Sequence, residues 1–192
     1  MSTRFVLGIS ALAASLLLSP AAFAQGAVTV IGGGLGQACY EAADDQRVAP
    51  QKAMELCNLA LTNETLKRRD KAATYTNRGI LHMRAGNNTK AMWDYENSLR
   101  LMPDLKEAKV NLGAAYYNLQ RSPEALAALN EGVGSESEDA RTVGFYNRGL
   151  THEKLGNLQS AYEDFRQALK LNPDFKQAAA QMARFTVVPA GS

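Results

Sequence analysis

Residues 73–108 read ATYTNRGILHMRAGNNTKAMWDYENSLRLMPDLKEA, and residues 143–178 read VGFYNRGLTHEKLGNLQSAYEDFRQALKLNPDFKQA. Aligned without a gap, the two stretches are identical at 14 of 36 positions and lie 70 residues apart. That distance is two periods of about 34 residues, the length of one helix-turn-helix unit in a stacked array. A stacked array presents an extended surface rather than an enclosed catalytic pocket. The repeat therefore predicts an all-α fold whose function is carried by a surface.

The shared positions of the two stretches have the chemistry of paired helices. Gly79 and Gly149 lie where two helices must approach closely, since a side chain there would hold them apart. Gly86 and Gly156 are placed to end the first helix in the left-handed conformation that glycine tolerates. Each stretch closes on Pro-Asp, and the proline ends the second helix.

A middle copy of the unit, residues 106–139, is less regular than the other two. Leu112-Gly113 and Ala125 fall at the matching offsets, whereas glycines at 132 and 134 predict an early end to the second helix. In this copy Ser122-Pro123 is predicted to mark the turn instead of a glycine. Ser135 with Glu138 is predicted to form a capping box for the next helix.

Residues 37–71, ahead of the repeats, are predicted to form a degenerate helical hairpin that covers the first unit. Cys39 and Cys57 are each nine residues from Val48, which lies in the turn-like stretch 44–50. In an antiparallel hairpin folded about that stretch the two sulfurs come level, so we expect a disulfide. Closing a loop of this size stabilises by about 3 kcal/mol. A redox-active pair is the alternative, but the chain has no Cys-x-x-Cys.

The first 24 residues have the pattern of a cleaved signal peptide. Arg4 precedes an apolar run at 5–18, and Ala22-Phe23-Ala24 is a cleavage site that would leave Gln25 as the mature N-terminus. The run is shorter than the roughly 20 residues of a spanning helix, although an uncleaved anchor is the alternative. We expect an exported protein, periplasmic or else secreted, with no stable membrane insertion after cleavage.

The two ends of the mature chain are predicted to be the least ordered parts. Residues 25–36 combine a β-prone run, 28–31, with a glycine-rich stretch, and we expect a flexible lead. A dinucleotide loop is the alternative, but the glycine spacing and the absence of a βαβ pattern argue against it. Within residues 176–192 we expect a capping helix over the open end of the stack, followed by a frayed tail from Phe185.

Charge and histidine content exclude several classes of function. The mature chain carries 20 basic and 19 acidic residues, which does not indicate a nucleic-acid partner. His82 and His152 are the only histidines and occupy one position two units apart, too far to share a metal. Asp94 and Asp164 are interpreted as surface positions. We therefore expect no catalytic residues, no metal and no cofactor.

The offsets resemble the tetratricopeptide repeat (TPR) family, whose units place an aromatic, Leu-Gly, an aromatic, Ala, Phe, Ala and Pro in that order. The positions are filled by Tyr75, Gly79, His82, Ala91, Tyr95, Ser98 and Pro103 and by Phe145, Gly149, His152, Ala161, Phe165, Ala168 and Pro173. Arg78 and Arg148 replace the leucine. The resemblance implies a right-handed α-solenoid with units at 72–105, 106–139 and 142–175, between the hairpin and the capping helix.

The resemblance also implies a groove, lined by the first helix of each unit, that binds a protein or peptide. By position its residues are Asn77, Ile80, Met83 and Arg84; Val110, Asn111, Ala114, Tyr117 and Asn118; and Tyr146, Asn147, Leu150, Glu153 and Lys154. An asparagine stands two residues before the glycine in every unit, and a carboxamide can pair with the backbone of an extended ligand. The alternative is that each asparagine bonds the backbone of a neighbouring unit.

A chaperone-type carboxylate clamp, also known in the family, is not expected. Its basic positions correspond to Thr76, Val143 and Asn147, of which only the asparagine is kept. The sequence thus favours a non-enzymatic interaction scaffold acting in envelope assembly or secretion. The alternative function is an accessory or regulatory subunit of an envelope enzyme. The partner and the oligomeric state stay open.

Overall fold

The computed structural model describes residues 5–9, 27–30, 33–45 and 47–189. Its helices are α1 Leu35–Asp44, α2 Pro50–Asn63, α3 Arg68–Arg84, α4 Asn88–Leu101, α5 Lys106–Asn118, α6 Ser122–Gly132, α7 Glu138–Lys154, α8 Leu158–Leu171 and α9 Lys176–Met182. Two short strands, β1 Phe5–Ile9 and β2 Phe185–Pro189, complete the elements. The predicted cleavage site at 22–24 lies outside the described residues.

The helices pack in consecutive antiparallel pairs, and each pair packs on the next: α1 with α2, α3 with α4, α5 with α6, and α7 with α8. The predicted all-α stack of helix-turn-helix units is confirmed, with a hairpin at one end and α9 against α8 at the other. Helix α3 starts at Arg68, four residues before the predicted unit boundary at 72, and the unit boundaries stay a prediction. None of the helices within the described ranges is long and apolar enough to cross a membrane.

Close approach of the two helices in each of the three repeat units depends on the glycine of the first helix. A Cβ added at Gly79 would lie 2.5 Å from the ring of Tyr95, and one at Gly149 would lie 2.7 Å from that of Phe165. The middle unit has the same construction with an aliphatic partner, since a Cβ at Gly113 would lie 2.4 Å from Leu129. Each large side chain therefore occupies the space that its glycine leaves.

The turns between paired helices differ from the prediction in one unit. Gly86 and Gly156 have the expected left-handed backbone, with φ of 74° and 80°. In the middle unit Gln120 takes this conformation, with φ 64°, although the sequence indicated that Ser122-Pro123 would replace the glycine. The chain reverses at the same place in all three units. In the middle unit this requires Gln120 to adopt a positive φ, which is unfavourable for a residue other than glycine.

The cap of α7 is also placed differently from the prediction. Ser137, not Ser135, is the N-cap, and its Oγ accepts a hydrogen bond from the Ala140 amide at 3.3 Å. Ser135 instead accepts from the Ser137 amide at 3.1 Å and bonds the carboxylate of Glu107 at 2.5 Å. The serine expected to start the helix therefore ties the loop back to α5.

The predicted disulfide joins the two helices of the hairpin. Cys39 and Cys57 are bonded, with their Cα atoms 4.6 Å apart, and both side chains are buried. They pack among small residues, Ala42, Ala43 and Ala53. The hairpin helices themselves contribute mainly small side chains to this cluster, and the covalent link adds to the stability that their packing provides.

The C-terminal tail is not frayed as expected. Strand β2 pairs antiparallel with β1, with Ile9 opposite Phe185 and Phe5 opposite Pro189. The Phe185 ring packs against Tyr162 and Phe165, with centroids 5.8 and 6.0 Å apart. Strand β1 belongs to the segment predicted to be a signal peptide. Cleavage after Ala24, which stays a prediction, would remove the strand that pairs with β2.

Candidate functional site

The predicted groove residues lie on α3, α5 and α7, and most of their side chains are buried. The buried ones are Asn77, Ile80, Met83, Val110, Asn111, Ala114, Tyr117, Tyr146, Asn147 and Leu150. Those with more exposure are Arg84, Asn118, Glu153 and Lys154. The assignment of these residues to a ligand-binding groove stays a prediction. Their contacts show which of them already bind other segments of this chain.

Asn77 is bonded to the backbone of the N-terminal lead. Its Oδ1 accepts from the Val28 amide at 2.7 Å, and its Nδ2 donates to the Val28 carbonyl at 2.9 Å. One residue offers its N–H and its C=O to the same side when it is extended, as in the hydrogen-bonded pairs of an antiparallel sheet. The carboxamide therefore pairs with the backbone of the lead as it would pair with the backbone of an extended ligand.

The lead is packed where the sequence indicated flexibility. Val30 is 4% exposed, and its Cγ1 would lie 3.2 Å from a Cβ added at Gly36. Ala27 packs against the disulfide cluster of the hairpin. The Gly36 amide, in the first turn of α1, donates to Glu64 at 2.7 Å. Apolar contacts on two sides and a capped helix start hold residues 27–30 in place.

Arg84 links the first unit to the hairpin beside this segment. Its Nη1 donates to the Ala43 carbonyl at 2.5 Å, at the end of α1. Burial lowers the pKa of Arg84, and Asp44 partly offsets that effect. Leu81, on the same helix, is fully buried in the disulfide cluster. The hairpin and α3 therefore form a single surface on which the lead rests.

The predicted groove residues of the third unit contact the C-terminal part of the chain. Arg184 donates to both carboxylate oxygens of Glu153, at 2.6 and 3.3 Å. Tyr146 is 2% exposed and meets the edge of the Phe175 ring, with centroids 5.3 Å apart. This burial raises the pKa of the Tyr146 hydroxyl. The predicted groove residues of this unit thus contact α9 and the residues that flank it.

Lys154 and Asn118 lie at the edge of the groove between units. The Lys154 ammonium is 4.9 Å from the centre of the Tyr117 ring and is hydrogen-bonded to Gln120. Asn118 Nδ2 donates to Asn88 at 3.4 Å. Both side chains bridge adjacent units, so their contacts fix the spacing of the helices that line the groove.

The structure shows a buried ion pair that the sequence interpretation missed. Asp94, expected at the surface, is 3% exposed and accepts from Arg78 Nε at 2.8 Å and from Nη2 at 2.6 Å. The remaining Arg78 nitrogen, Nη1, donates to Asn58 of α2 at 2.8 Å. The arginine in the leucine position of the repeat therefore joins both helices of its unit and the helix before them.

The third unit repeats this arrangement. Arg148 donates from Nε and Nη2 to Asp164, both at 2.8 Å, and from Nη1 to Asn130 of α6 at 3.1 Å. The signal was present in the sequence. In both copies an arginine and an aspartate of opposite charge stand 16 residues apart, a recurrence that a surface position does not require.

The two histidines lie beside these pairs. His82 Nε2 is 3.8 Å from Asp94, and His152 Nε2 is 4.0 Å from Asp164. Burial lowers the pKa of both histidines despite the nearby carboxylates, because each carboxylate is already paired with an arginine. Within the described residues, no cluster of three or more His, Cys, Asp or Glu is arranged to hold a metal.

The comparison of sequences identifies the unit directly. Residues 143–175 match the family described as the tetratricopeptide repeat. The Hsp70-Hsp90 organizing protein of Triticum aestivum is 29% identical over 86 residues, which cover 45% of this chain and 14% of that protein. The chain spans less than a quarter of the length of the first curated relatives it matches.

Solved TPR structures have the same fold. MamA residues 41 to the end from Desulfovibrio magneticus RS-1 superpose with a TM-score of 0.62 at 20% identity, covering 78% of this chain and 82% of that one. The first TPR of Spaghetti (RPAP3), solved bound to the HSP90 peptide SRMEEVD, has a TM-score of 0.56 at 22% identity, covering 60% and 90%. These likenesses establish the TPR fold of the stack.

Proposed function

We propose that this protein is a non-enzymatic protein-binding scaffold that holds an extended segment of a partner against the first helices of its units. The observation that carries the proposal is the pairing of Asn77 with both backbone groups of Val28. Those two hydrogen bonds are made to the Val28 backbone and do not involve the Val28 side chain. A surface built this way binds extended segments of varied sequence.

The same side chain recurs in register along the stack. Asn111 and Asn147 stand two residues before the glycine of their units, as Asn77 does, and all three are fully buried on the first helices. Successive units of two-helix repeats are about 10 Å apart, and three extended residues cover about that distance. A partner segment would therefore meet one asparagine for every three of its residues.

The relatives support peptide binding as the general activity, while the residues here favour backbone recognition. The Spaghetti (RPAP3) domain was solved with the HSP90 peptide SRMEEVD bound. In this chain Thr76 and Val143 occupy two of the positions that would hold basic clamp residues. Thr76 is hydrogen-bonded to Ser98 at 2.8 Å inside the unit. We therefore place the recognition in the carboxamides.

We also propose that the protein is exported and acts in the cell envelope, in assembly or secretion. The signal-peptide pattern of residues 1–24 supports export. The Cys39–Cys57 disulfide suits an oxidising compartment. A second candidate function is an accessory subunit that regulates an envelope enzyme, and the covered state of the groove favours it, because a partner would have to displace the chain's own segments.

The test compares the peptide affinities of the parent, a triple asparagine variant and a double lysine control. Peptides would be selected on the intact chain from a displayed random library, and their Kd values measured. Replacing Asn77, Asn111 and Asn147 by alanine should weaken binding ten- to a thousandfold, since each hydrogen bond contributes about 0.5–1.5 kcal/mol. The control, alanine at exposed Lys90 and Lys170, should bind like the parent.

Two results would contradict the proposal. If the triple asparagine variant folds and binds the selected peptides as tightly as the parent, the groove is not the site. If it loses its cooperative thermal transition, the asparagines serve the fold. Raised salt should weaken binding only slightly, because the proposed contacts are between neutral groups.

A further inference from the structure

The joint between the hairpin and the first unit holds residues 27–30 in a defined register. The Val28 backbone is bonded to Asn77, a side chain with no exposed surface. Val30 and Ala27, three residues apart, both pack against the protein, whereas Thr29 is exposed. The segment therefore has one backbone anchor, two apolar contacts and one side chain directed to solvent.

The glycine-rich stretch after this segment serves close packing. Gly34 has φ +94°, and a Cβ there would lie 2.6 Å from the Glu64 carboxylate. A Cβ at Gly36 would lie 3.0 Å from Leu66 and 3.2 Å from Val30. Glycines at both positions let the lead, the start of α1 and the end of α2 come together. Close packing therefore accounts for Gly34 and Gly36, two of the glycines that had raised the possibility of a dinucleotide loop.

The contacts indicate which side chains this joint would accept in a bound segment. Its polar contacts to the segment are made to backbone groups, so they are available to any extended chain. The apolar contacts favour a small side chain at the position of Ala27 and a β-branched one at the position of Val30. The Val30 position is 4% exposed, so a negatively charged side chain there would lose its hydration.

We propose that this joint is a binding site for an extended, uncharged partner segment carrying a small apolar residue and, three residues later, a β-branched one. Residues 27–30 are its tethered occupant and compete with that partner. This inference rests on the proposed function, because Asn77 is the first of the three asparagines. The hairpin and its disulfide form the second wall of the site, which gives the non-repeat end of the chain a role in recognition.

Tethering sets the strength of the competition. A segment joined to its site through a few residues has an effective concentration in the millimolar range. An external peptide of the same sequence then binds with an apparent affinity lowered by the fraction of sites that remain open. Releasing the lead should therefore raise the affinity for such a peptide by about tenfold or more.

Two variants of the otherwise intact chain are designed to release the lead without changing the residues of the site, and each has a matched control. Val28→Pro removes the amide that donates to Asn77, and Val28→Ala retains it. Val30→Asp places a charge at the buried position, and Thr29→Asp places the same charge at the exposed neighbour. The probe is the acetylated and amidated peptide QGAVTVIG, the sequence of residues 25–32, with Kd measured by fluorescence anisotropy or calorimetry.

The expected result is tighter binding, by about tenfold or more, in Val28→Pro and Val30→Asp, with Val28→Ala and Thr29→Asp at the parent value. Adding Asn77→Ala to Val28→Pro should abolish the gain. A separate readout is hydrogen exchange at the Val28 amide, which should be slow in the parent and fast in Asn77→Ala.

Equal affinity for QGAVTVIG in the parent and the four single variants of the lead, or a rapidly exchanging Val28 amide in the parent, would overturn the inference. The library-selected peptides distinguish this failure from failure of the scaffold. If they still need Asn111 and Asn147, the scaffold stands and only the tethered occupant is rejected. If they too are indifferent to the asparagines, both proposals fall.

Discussion

The outer units and the middle unit have the same helix-turn-helix fold but different residues at three equivalent positions. Where the first and third units bury an Arg–Asp pair with a histidine beside it, the middle unit has Leu112, Ala128 and Tyr116 at the corresponding offsets. Leu112 is 8% exposed and packs in the main core. The comparison teaches that the pair is not needed to make a unit of this fold. Once present, however, it must be complete, because each ion compensates the burial of the other.

The bond from each unit to the one before it also changes in kind. The outer units use an arginine and an asparagine, Arg78 with Asn58 and Arg148 with Asn130. In the middle unit the Tyr116 hydroxyl donates to Glu96 of α4 at 2.9 Å, and Arg121 covers the Tyr116 ring at 4.5 Å. A polar contact therefore connects each unit to the preceding one, although the residues differ.

The largest effect is expected from removing one member of an outer pair. Asp164→Ala should lower the free energy of unfolding by about 3–5 kcal/mol, because Arg148 stays in place without its carboxylate. The measurement is chemical denaturation followed by circular dichroism. Ala128→Gly, at the corresponding position of the middle unit, is the control and should cost only about 1 kcal/mol of helix propensity. Similar losses in both variants would mean that the ion pair has no special role.

The glycine positions should be equally sensitive in the outer and middle units. Gly79→Leu and Gly113→Leu should each cost at least about 2 kcal/mol, since the new side chain must displace Tyr95 or Leu129 from a packed interface. Melting temperatures of the two variants would give the comparison. A mild effect at both would contradict the close approach, and alanine at exposed Lys170 serves as a near-neutral reference.

The histidines of the outer units should make the free energy of unfolding depend on pH between about 5 and 7.5. The middle unit has a tyrosine at this position and should not contribute to that dependence. Burial lowers the pKa of His82 and His152 below the unfolded value of 6.5. Their neutral forms therefore stabilise the fold above pH 6.5, and that stability is lost as pH falls from 6.5 through the folded pKa. Burial raises the pKa of Tyr116, the middle-unit counterpart, so it stays neutral over this range.

The variant His82→Tyr with His152→Tyr tests this dependence. Denaturation midpoints measured between pH 7.5 and pH 5 should fall less steeply in the double variant than in the parent. An unchanged slope would assign the acid sensitivity to other groups.

The smallest change is expected when an outer unit is converted to the middle type. Arg148→Leu combined with Asp164→Ala removes both ions together, and replacing a buried pair by apolar residues is often neutral or stabilising. The free energy of unfolding should stay near the parent value or rise. A loss as large as that of Asp164→Ala alone would show that the comparison between the units does not hold.

Much of the fold could be predicted because it rests on local, repeated signals. The recurrence of glycines at a spacing of about 34 residues located the helix pairs, and the equal distances from Val48 paired Cys39 with Cys57. Gln120 escaped prediction because glutamine favours helices and gives no signal for a positive φ. Ser137 escaped because Ser135 is an equally good N-cap type, and only the surrounding packing selects between them. The burial of Asp94 could have been predicted from its recurring partner, but charge alone suggests the surface.

The sequence by itself determined the stack: period, helix pairing, the disulfide and the row of asparagines follow from residues that act within one unit or between adjacent ones. Only the tertiary structure decided what meets that row. Val28 and Asn77 are 49 residues apart, and no periodicity relates a backbone amide in a lead to a carboxamide on a helix. Their contact depends on the hairpin bringing the start of α1 beside α3. That placement comes from three-dimensional packing, where distance along the chain carries no information about proximity.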